Sequence, residues 1–236
     1  GESESGMLAT DSTPFYAESG GQFGDTGRVI WTGGSGIIND TISKGDGYTF
    51  HKVFVESGKL QKGMQVDLQV DKGERYGCAA NHTATHLLHS ALQSVLGDHV
   101  KQSGSLVGPE RLRFDFTHFS PLSAEEVKEI EKVVNGEIRK NVSLITDLME
   151  RESAMDAGAT ALFGEKYDEQ VRVVSIGEFS KELCGGTHVS STGEIGVFKI
   201  LSETGIAAGV RRIEALAGEA AFQYLQQIGN VCDELC

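Results

Sequence analysis

Two short motifs about a hundred residues apart most constrain how this chain can fold: His82-Thr-Ala-Thr-His86 and Cys184-Gly-Gly-Thr-His188. The first lies in NHTATHLLHSALQSVLG, whose pattern predicts a helix over 79–96 ended by Gly97. Spacing of i and i+4 puts both imidazoles on one helix face, one turn apart. The second motif carries a thiol and an imidazole on a turn that two glycines make free to fold tightly. Two histidines from one segment, with a cysteine and a histidine from the other, make a donor set suited to tetrahedral Zn²⁺. A fold that uses them must bring these distant segments together, and His82, His86, Cys184 and His188 are the expected ligands of one ion. No glutamate follows His82, so the metalloprotease pattern with its general base is missing. His89, seven residues after His82 on the same face, reads more readily as an ordinary helix histidine than as a spare ligand or an outer partner.

The chain around these motifs divides by texture. Residues 1 to about 75 are rich in glycine and β-formers, with candidate strands at Arg28–Trp31, Tyr48–Val55 and Met64–Val70. Turn chemistry separates them, including Gly33-Gly-Ser-Gly36 and Lys44-Gly-Asp-Gly47. Short strands at regular spacing predict a small glycine-rich β-barrel-like unit or a curled sheet. Beyond Asp71-Lys-Gly-Glu74 the His helix begins an α+β region. Strands are expected at Ser105–Val107, Arg111–Phe116, Val171–Ile176, Gly196–Leu201 and Val210–Leu216, the last three in one sheet. Ser123-Ala-Glu-Glu126 is a capping box opening a helix with Val127, Ile130, Val134 and Ile138 on one face. A short helix is expected from Met149 to about Thr160, and another from Gly218 onward.

A net charge of −13 argues against tight nonspecific binding of nucleic acid, which depends on neutralising phosphates. It leaves room for a local basic strip at Arg111 with Arg113, or Arg211 with Arg212. No apolar run is long enough to cross a membrane, and the first residues lack the basic and apolar regions of a secretory signal. Cys78, Cys184, Cys232 and Cys236 show no disulfide-framework spacing, so reduced thiols in the cytoplasm or an organelle are expected, with only Cys184 in chemical company.

Two further segments carry chemistry. Thr13-Pro-Phe-Tyr-Ala-Glu-Ser-Gly-Gly-Gln-Phe-Gly-Asp-Thr-Gly27 is a loop whose backbone can approach a ligand closely, with Gln22 and Asp25 as its polar side chains. It lacks the Gly-Lys-Ser/Thr ending of a phosphate loop. Gln102-Ser-Gly-Ser-Leu-Val follows the His helix, and its amide and hydroxyls suit recognition of a small polar substrate more than nucleophilic attack.

Together TPFYAESGGQFGDTG, NHTATHLLH, GSLVGPERLRFDF, LCGGTHVSSTGEIGVFKI and GVRRIEALAG resemble the editing domain of alanyl-tRNA synthetases, in order from Thr13 to Gly218. The resemblance implies an α+β fold: residues 1–75 as the barrel-like subdomain, 76–217 as a zinc-containing editing core of the threonyl/alanyl-tRNA synthetase second-domain type, and 218–236 as the start of a helical linker. It implies hydrolysis of the ester joining serine or glycine to tRNA(Ala), one Zn²⁺ on the four ligands above, and as partners the aminoacyl 3′ end of tRNA(Ala) and the rest of a longer synthetase, with no DNA and no membrane. Gln102, Thr85 and Cys184 are assigned to catalysis, and Thr13, Gln22, Ser105 and Arg211 to the substrate. Ser191 departs from the family, many members of which carry a basic residue there. A water is the expected nucleophile, and four protein ligands favour a positioning ion over one that activates the water. Two other readings stand beside this one: a freestanding trans-editing protein, and a nonhydrolytic RNA-binding module with a structural zinc.

Overall fold

The computed structural model describes residues 5–45, 47–161 and 168–234, so Cys236 lies outside the described residues. The N-terminal region forms β1 (Ser5–Leu8), β2 (Gly27–Trp31), β3 (Gly34–Lys44), β4 (Tyr48–Ser57) and β5 (Val66–Val70). These make one antiparallel sheet in the order β1-β4-β3-β2-β5. The stretch read as a four-residue turn is a tighter hairpin: Thr32 and Gly33 alone connect β2 to β3, with Trp31 paired to Gly34 and Gly33 at φ +87. Period-two alternation does the rest, since β5 turns Val66, Leu68 and Val70 inward and Asp67 and Gln69 outward.

The expected barrel does not close. Among the described residues β1 and β5 are the two edges of the sheet and do not pair with each other. Both nevertheless send side chains into one core, where Leu8, Val66 and Leu68 meet Phe15, Val29, Trp31, Ile38 and Val53. Leu60 and Met64, from the connection between β4 and β5, pack into the same cluster. Loop side chains thus help to fill the apolar interior between the edges.

Helix α1 (Lys72–Leu96) follows at once. It begins seven residues before the expected start, because Asp71 accepts hydrogen bonds from the backbone N–H groups of Gly73 and Glu74 and caps it. Next come β6 (Gln102–Val107), β7 (Leu112–Thr117) and α2 (Ala124–Lys140), the last opened by the expected Ser123–Glu126 capping box. Then follow β8 (Leu144–Glu150), α3 (Arg151–Asp156), β9 (Gln170–Ile176) and β10 (Ser180–Leu183). The short helix expected from Met149 to about Thr160 is present but shorter: β8 runs through Glu150, and α3 has six residues. A 3-10 turn at Thr192–Ile195, β11 (Phe198–Ala207), β12 (Val210–Ala217) and α4 (Gly218–Glu234) complete the described chain.

The main core lies between α1, α2 and the antiparallel sheet β11-β12-β7-β6. Leu87, Leu88 and Leu92 of α1 and Ile130 and Val134 of α2 pack there with Phe114, Phe116 and Ile213 of the sheet. A second sheet, β10-β9-β8, is separate from it, so β9 does not share one sheet with β11 and β12 as expected: it pairs instead with its neighbours in sequence, β8 and β10. From Cys78 to His89 every residue of α1 is buried, polar ones included. A helix buried all round needs polar partners for its polar side chains, and those partners define the site.

Candidate metal centre

His82 and His86 project from the middle of α1 with their rings 5.2 Å apart and only 7° from parallel, as one helical turn requires. Cys184 follows β10 directly, and His188 sits four residues on, with its ring 4.5 Å from that of His82 and 5.0 Å from that of His86. One donor atom from each of the four residues lies within 4.8 Å of all the others. The Cys184 Sγ is 3.4 Å from His82 Nε2 and 3.3 Å from His188 Nε2. A tetrahedral N₃S set with metal bonds of 2.0–2.3 Å has donor–donor edges of about 3.3–3.6 Å, so these separations suit a shared ion.

Each imidazole is oriented by a different partner on its outer nitrogen. His82 Nδ1–H donates to the Gln22 side-chain oxygen at 2.7 Å. His86 Nδ1–H donates to Glu182 Oε2 at 2.6 Å. His188 Nδ1 lies 3.1 Å from Thr83 Oγ1, whose own proton goes to Ala79 O, so the ring is the donor. All three rings therefore present Nε2 to Cys184. His86 Nε2 is buried with no hydrogen-bond partner among the described residues, and a buried unpartnered imidazole nitrogen aimed into a thiol–imidazole cluster fits a metal ligand.

The turn between the ligands is built for close approach. A Cβ on Gly186 would come within 2.1 Å of His82 Cε1 and 2.8 Å of the Gln22 side-chain oxygen, whereas one on Gly185 would meet nothing within 4 Å. Of the two glycines, the second is the one the site demands. Arg172 of β9 donates to the carbonyls of Cys184 and Gly186, and Gln22 Oε1 also accepts from Thr187 N at 2.9 Å.

For Cys184 and His188 the electrostatics favour the deprotonated forms that a cation binds. Burial alone would push the Cys184 thiol up, but the neighbouring imidazoles hold it well below its usual value, toward thiolate. Burial drives His188 down to about 3, so it stays neutral. For His86 burial is outweighed by the charges of Glu182 and Cys184, which raise it to about 10 and make its Nε2 the place where a proton stands in for a cation.

The four ligands and Gln22 thus come together, Gln22 as a brace for His82 more than as a loop open to a ligand. Thr85 is buried beside them on α1, with its hydroxyl donated to Asn81 O. Gln102 and Ser105 lie on β6, paired with Phe116 and Phe114 of β7, and Gly21 packs on the Ser105 carbonyl so closely that a Cβ would come within 2.3 Å. Thr13 is engaged elsewhere: its hydroxyl is 2.8 Å from His51 Nε2 and accepts from Phe15 N. Asp25 pairs with Arg75 of α1. Arg211 grips Glu203 at the β11–β12 end, and Arg212 grips Asp115, so neither forms a free basic strip. His89 is a buried core histidine that also reaches Glu182. Sequence reasoning missed Glu182, Thr83, Arg172 and Thr187. The signal for Glu182 was its place two residues before Cys184, where strand alternation turns both side chains the same way.

Comparison with known proteins agrees with this architecture. Residues 171–214, from β9 into β12, match the family described as Threonyl and Alanyl tRNA synthetase second additional domain, and residues 1–74 match that described as tRNA synthetases class II (A). The chain is 51% identical over 229 residues to an alanine–tRNA ligase of Pseudothermotoga lettingae, covering 95% of this chain and 27% of that protein. It is 52% identical over 224 residues to an alanine–tRNA ligase of Halorhodospira halophila, covering 95% and 26%. It spans about a quarter of the length of these curated relatives. The chain is therefore a homologue of one segment of the alanine–tRNA ligases, a segment that carries the second additional domain shared by threonyl and alanyl-tRNA synthetases.

Proposed function

We propose that this segment is a post-transfer editing hydrolase, which cleaves the ester of Ser-tRNA(Ala) and Gly-tRNA(Ala) with the help of one Zn²⁺ held by His82, His86, Cys184 and His188. The observation that carries the reading is the convergence of three Nε2 atoms and one thiolate, each imidazole braced from behind, in a chain half identical to alanine–tRNA ligases. The need for such a site is physical. A synthetic pocket shaped for alanine admits glycine, which is smaller, and serine, which adds one hydroxyl, and such differences yield only about 1–3 kcal/mol of discrimination. A second pocket that hydrogen-bonds the seryl hydroxyl leaves polar groups unpaired when alanine enters, and so spares the correct product.

When bound, the zinc supplies a fixed positive charge that positions the aminoacyl end of the tRNA. The chain's own groups do the rest. Gln22, Glu182 and Thr83 hold the imidazoles, while the Arg172 guanidinium and the Gln22 side chain hold the Cys184–His188 turn. Gln102 and Thr85 are assigned to recognition and alignment of the seryl ester for attack by water, Thr13, Ser105 and Arg211 to the substrate side. In this reading residues 76–217 are the editing core, 1–75 the unit before it and 218–236 the start of a helical linker. The partners are the 3′ aminoacyl end of tRNA(Ala) and the remainder of a longer cytoplasmic ligase. The surplus of acidic side chains puts the main contacts with the tRNA body on that remainder.

A second reading has one observation behind it: four protein donors fill a tetrahedron, as structural zinc sites do. Release of serine from Ser-tRNA(Ala) and of alanine from Ala-tRNA(Ala) separates the two. The editing reading expects fast serine release, slow alanine release, and loss of the former in Cys184→Ala. A folded, zinc-loaded chain that releases neither, even when joined to the rest of the ligase, belongs to the structural reading.

A further inference from the structure

Behind the ligands of the site lies a buried carboxylate that no ligand pattern predicts. Glu182 on β10 is 4% exposed, and both its oxygens are used: Oε2 by His86 Nδ1 at 2.6 Å and Oε1 by His89 Nδ1 at 2.9 Å. His89 is equally buried, and its ring packs on Phe114 at 5.4 Å. A buried carboxylate is costly to keep unless it does electrostatic work nearby. The work is visible in the charge balance. A divalent cation with one thiolate and three neutral imidazoles leaves one positive charge in the interior, and one carboxylate cancels it.

We propose that Glu182 and His89 form a positioning pair for the metal centre: Glu182 supplies the second negative charge and fixes the tautomer and ring angle of His86, and His89 pins the carboxylate's other oxygen so that it cannot turn away. Neither residue donates to the ion. The proposal rests on the four-donor cluster being a metal centre, and it is independent of which ester is hydrolysed. It also gives His89, one helical turn beyond His86, a role distinct from ligation.

The test is metal binding by the full 236-residue chain. Metal-free wild type, Glu182→Gln, His89→Ala and His89→Asn are titrated with Co²⁺ while the ligand-field absorption is followed, and with Zn²⁺ against a chromophoric chelator. Circular dichroism of the metal-free forms controls for folding. Glu182→Gln keeps the shape but loses the charge and one acceptor, and weakens binding about 10–100-fold with an altered Co²⁺ spectrum, the range for loss of an outer partner. His89→Ala weakens it about several-fold. His89→Asn, whose amide N–H falls near the lost Nδ1–H, restores wild-type affinity and spectrum. Wild-type affinity and spectrum in folded Glu182→Gln overturn the proposal. Should that variant fail to fold, equal affinities for His89→Ala and wild type overturn it. A wild type that binds no Co²⁺ removes the metal reading itself, a different failure.

Discussion

Two regions of this molecule bury histidine, and they use it in opposite ways. In the N-terminal sheet His51 is fully buried with both ring nitrogens engaged, Nδ1 donating to Leu8 O and Nε2 accepting from Thr13 Oγ1. At the second site His82 and His86 of α1 and His188 of the turn after Cys184 each engage an outer partner through Nδ1, and their Nε2 atoms gather around the Cys184 sulfur. Residue type is the same in both, and all but the half-buried His188 are buried. The difference lies in what meets the second nitrogen: one neutral hydroxyl for His51, which ties down a loop, and one sulfur shared by a cluster of imidazoles in the other region, a donor set that could hold a cation. Gln22 joins the regions, since it belongs to the glycine-rich loop of the first and braces a ligand of the second.

The comparison can be broken most forcefully at Cys184. Cys184→Ala removes the only sulfur donor, and metal retained after dialysis should fall more than about 100-fold, beyond the range for outer partners. Retention of wild-type metal by that variant would mean the two regions do not differ as described. Gln22→Ala comes next. It strips the acceptor from His82 Nδ1–H and Thr187 N, and it should cost about 10-fold in metal affinity and lower the stability of the metal-free chain by about 1–3 kcal/mol. A stability loss without an affinity loss would make Gln22 a latch only.

Thr13→Ala probes the other region. It leaves His51 Nε2 without a donor and should destabilise the chain by about 1–2 kcal/mol in urea titration, with metal affinity unchanged. A change in metal affinity would show that the two regions are one network. The smallest effect is on pH dependence. Burial lowers His51 below its usual 6.5, although the hydrogen bond to Leu8 O works against this. The unfolded chain then takes up a proton at a higher pH than the native one. This contribution to stability is therefore full above pH 6.5 and is lost as the pH falls below it. The urea midpoint should fall less between pH 7.5 and pH 5.5 in His51→Gln than in the wild type, and equal falls would contradict the assignment.

Much of the site was legible because its spacing is chemically restrictive. An i, i+4 histidine pair and a Cys-Gly-Gly-Thr-His turn leave few uses other than a shared ion, and the chain folds to bring them together. The outer partners were not legible. Glu182 sits on a strand of four residues, too short for its alternation to stand out. Gln22 reaches its partners across 60 and 165 residues, and no local pattern encodes such a distance. In the fold, glycines misled twice: Gly73 and Gly77 hid the first turns of α1, and Gly34 and Gly36, read as a turn, hid β3 altogether. The barrel expectation failed because strand spacing predicts a sheet that curls but not whether its edges meet.

The most direct test of the central claim is X-ray absorption at the zinc edge on the purified full chain, with total metal measured on the same sample. The account predicts one zinc per chain, with three nitrogen neighbours at about 2.0–2.1 Å and one sulfur at about 2.3 Å. Zinc absent, or bound without a sulfur neighbour, would contradict it.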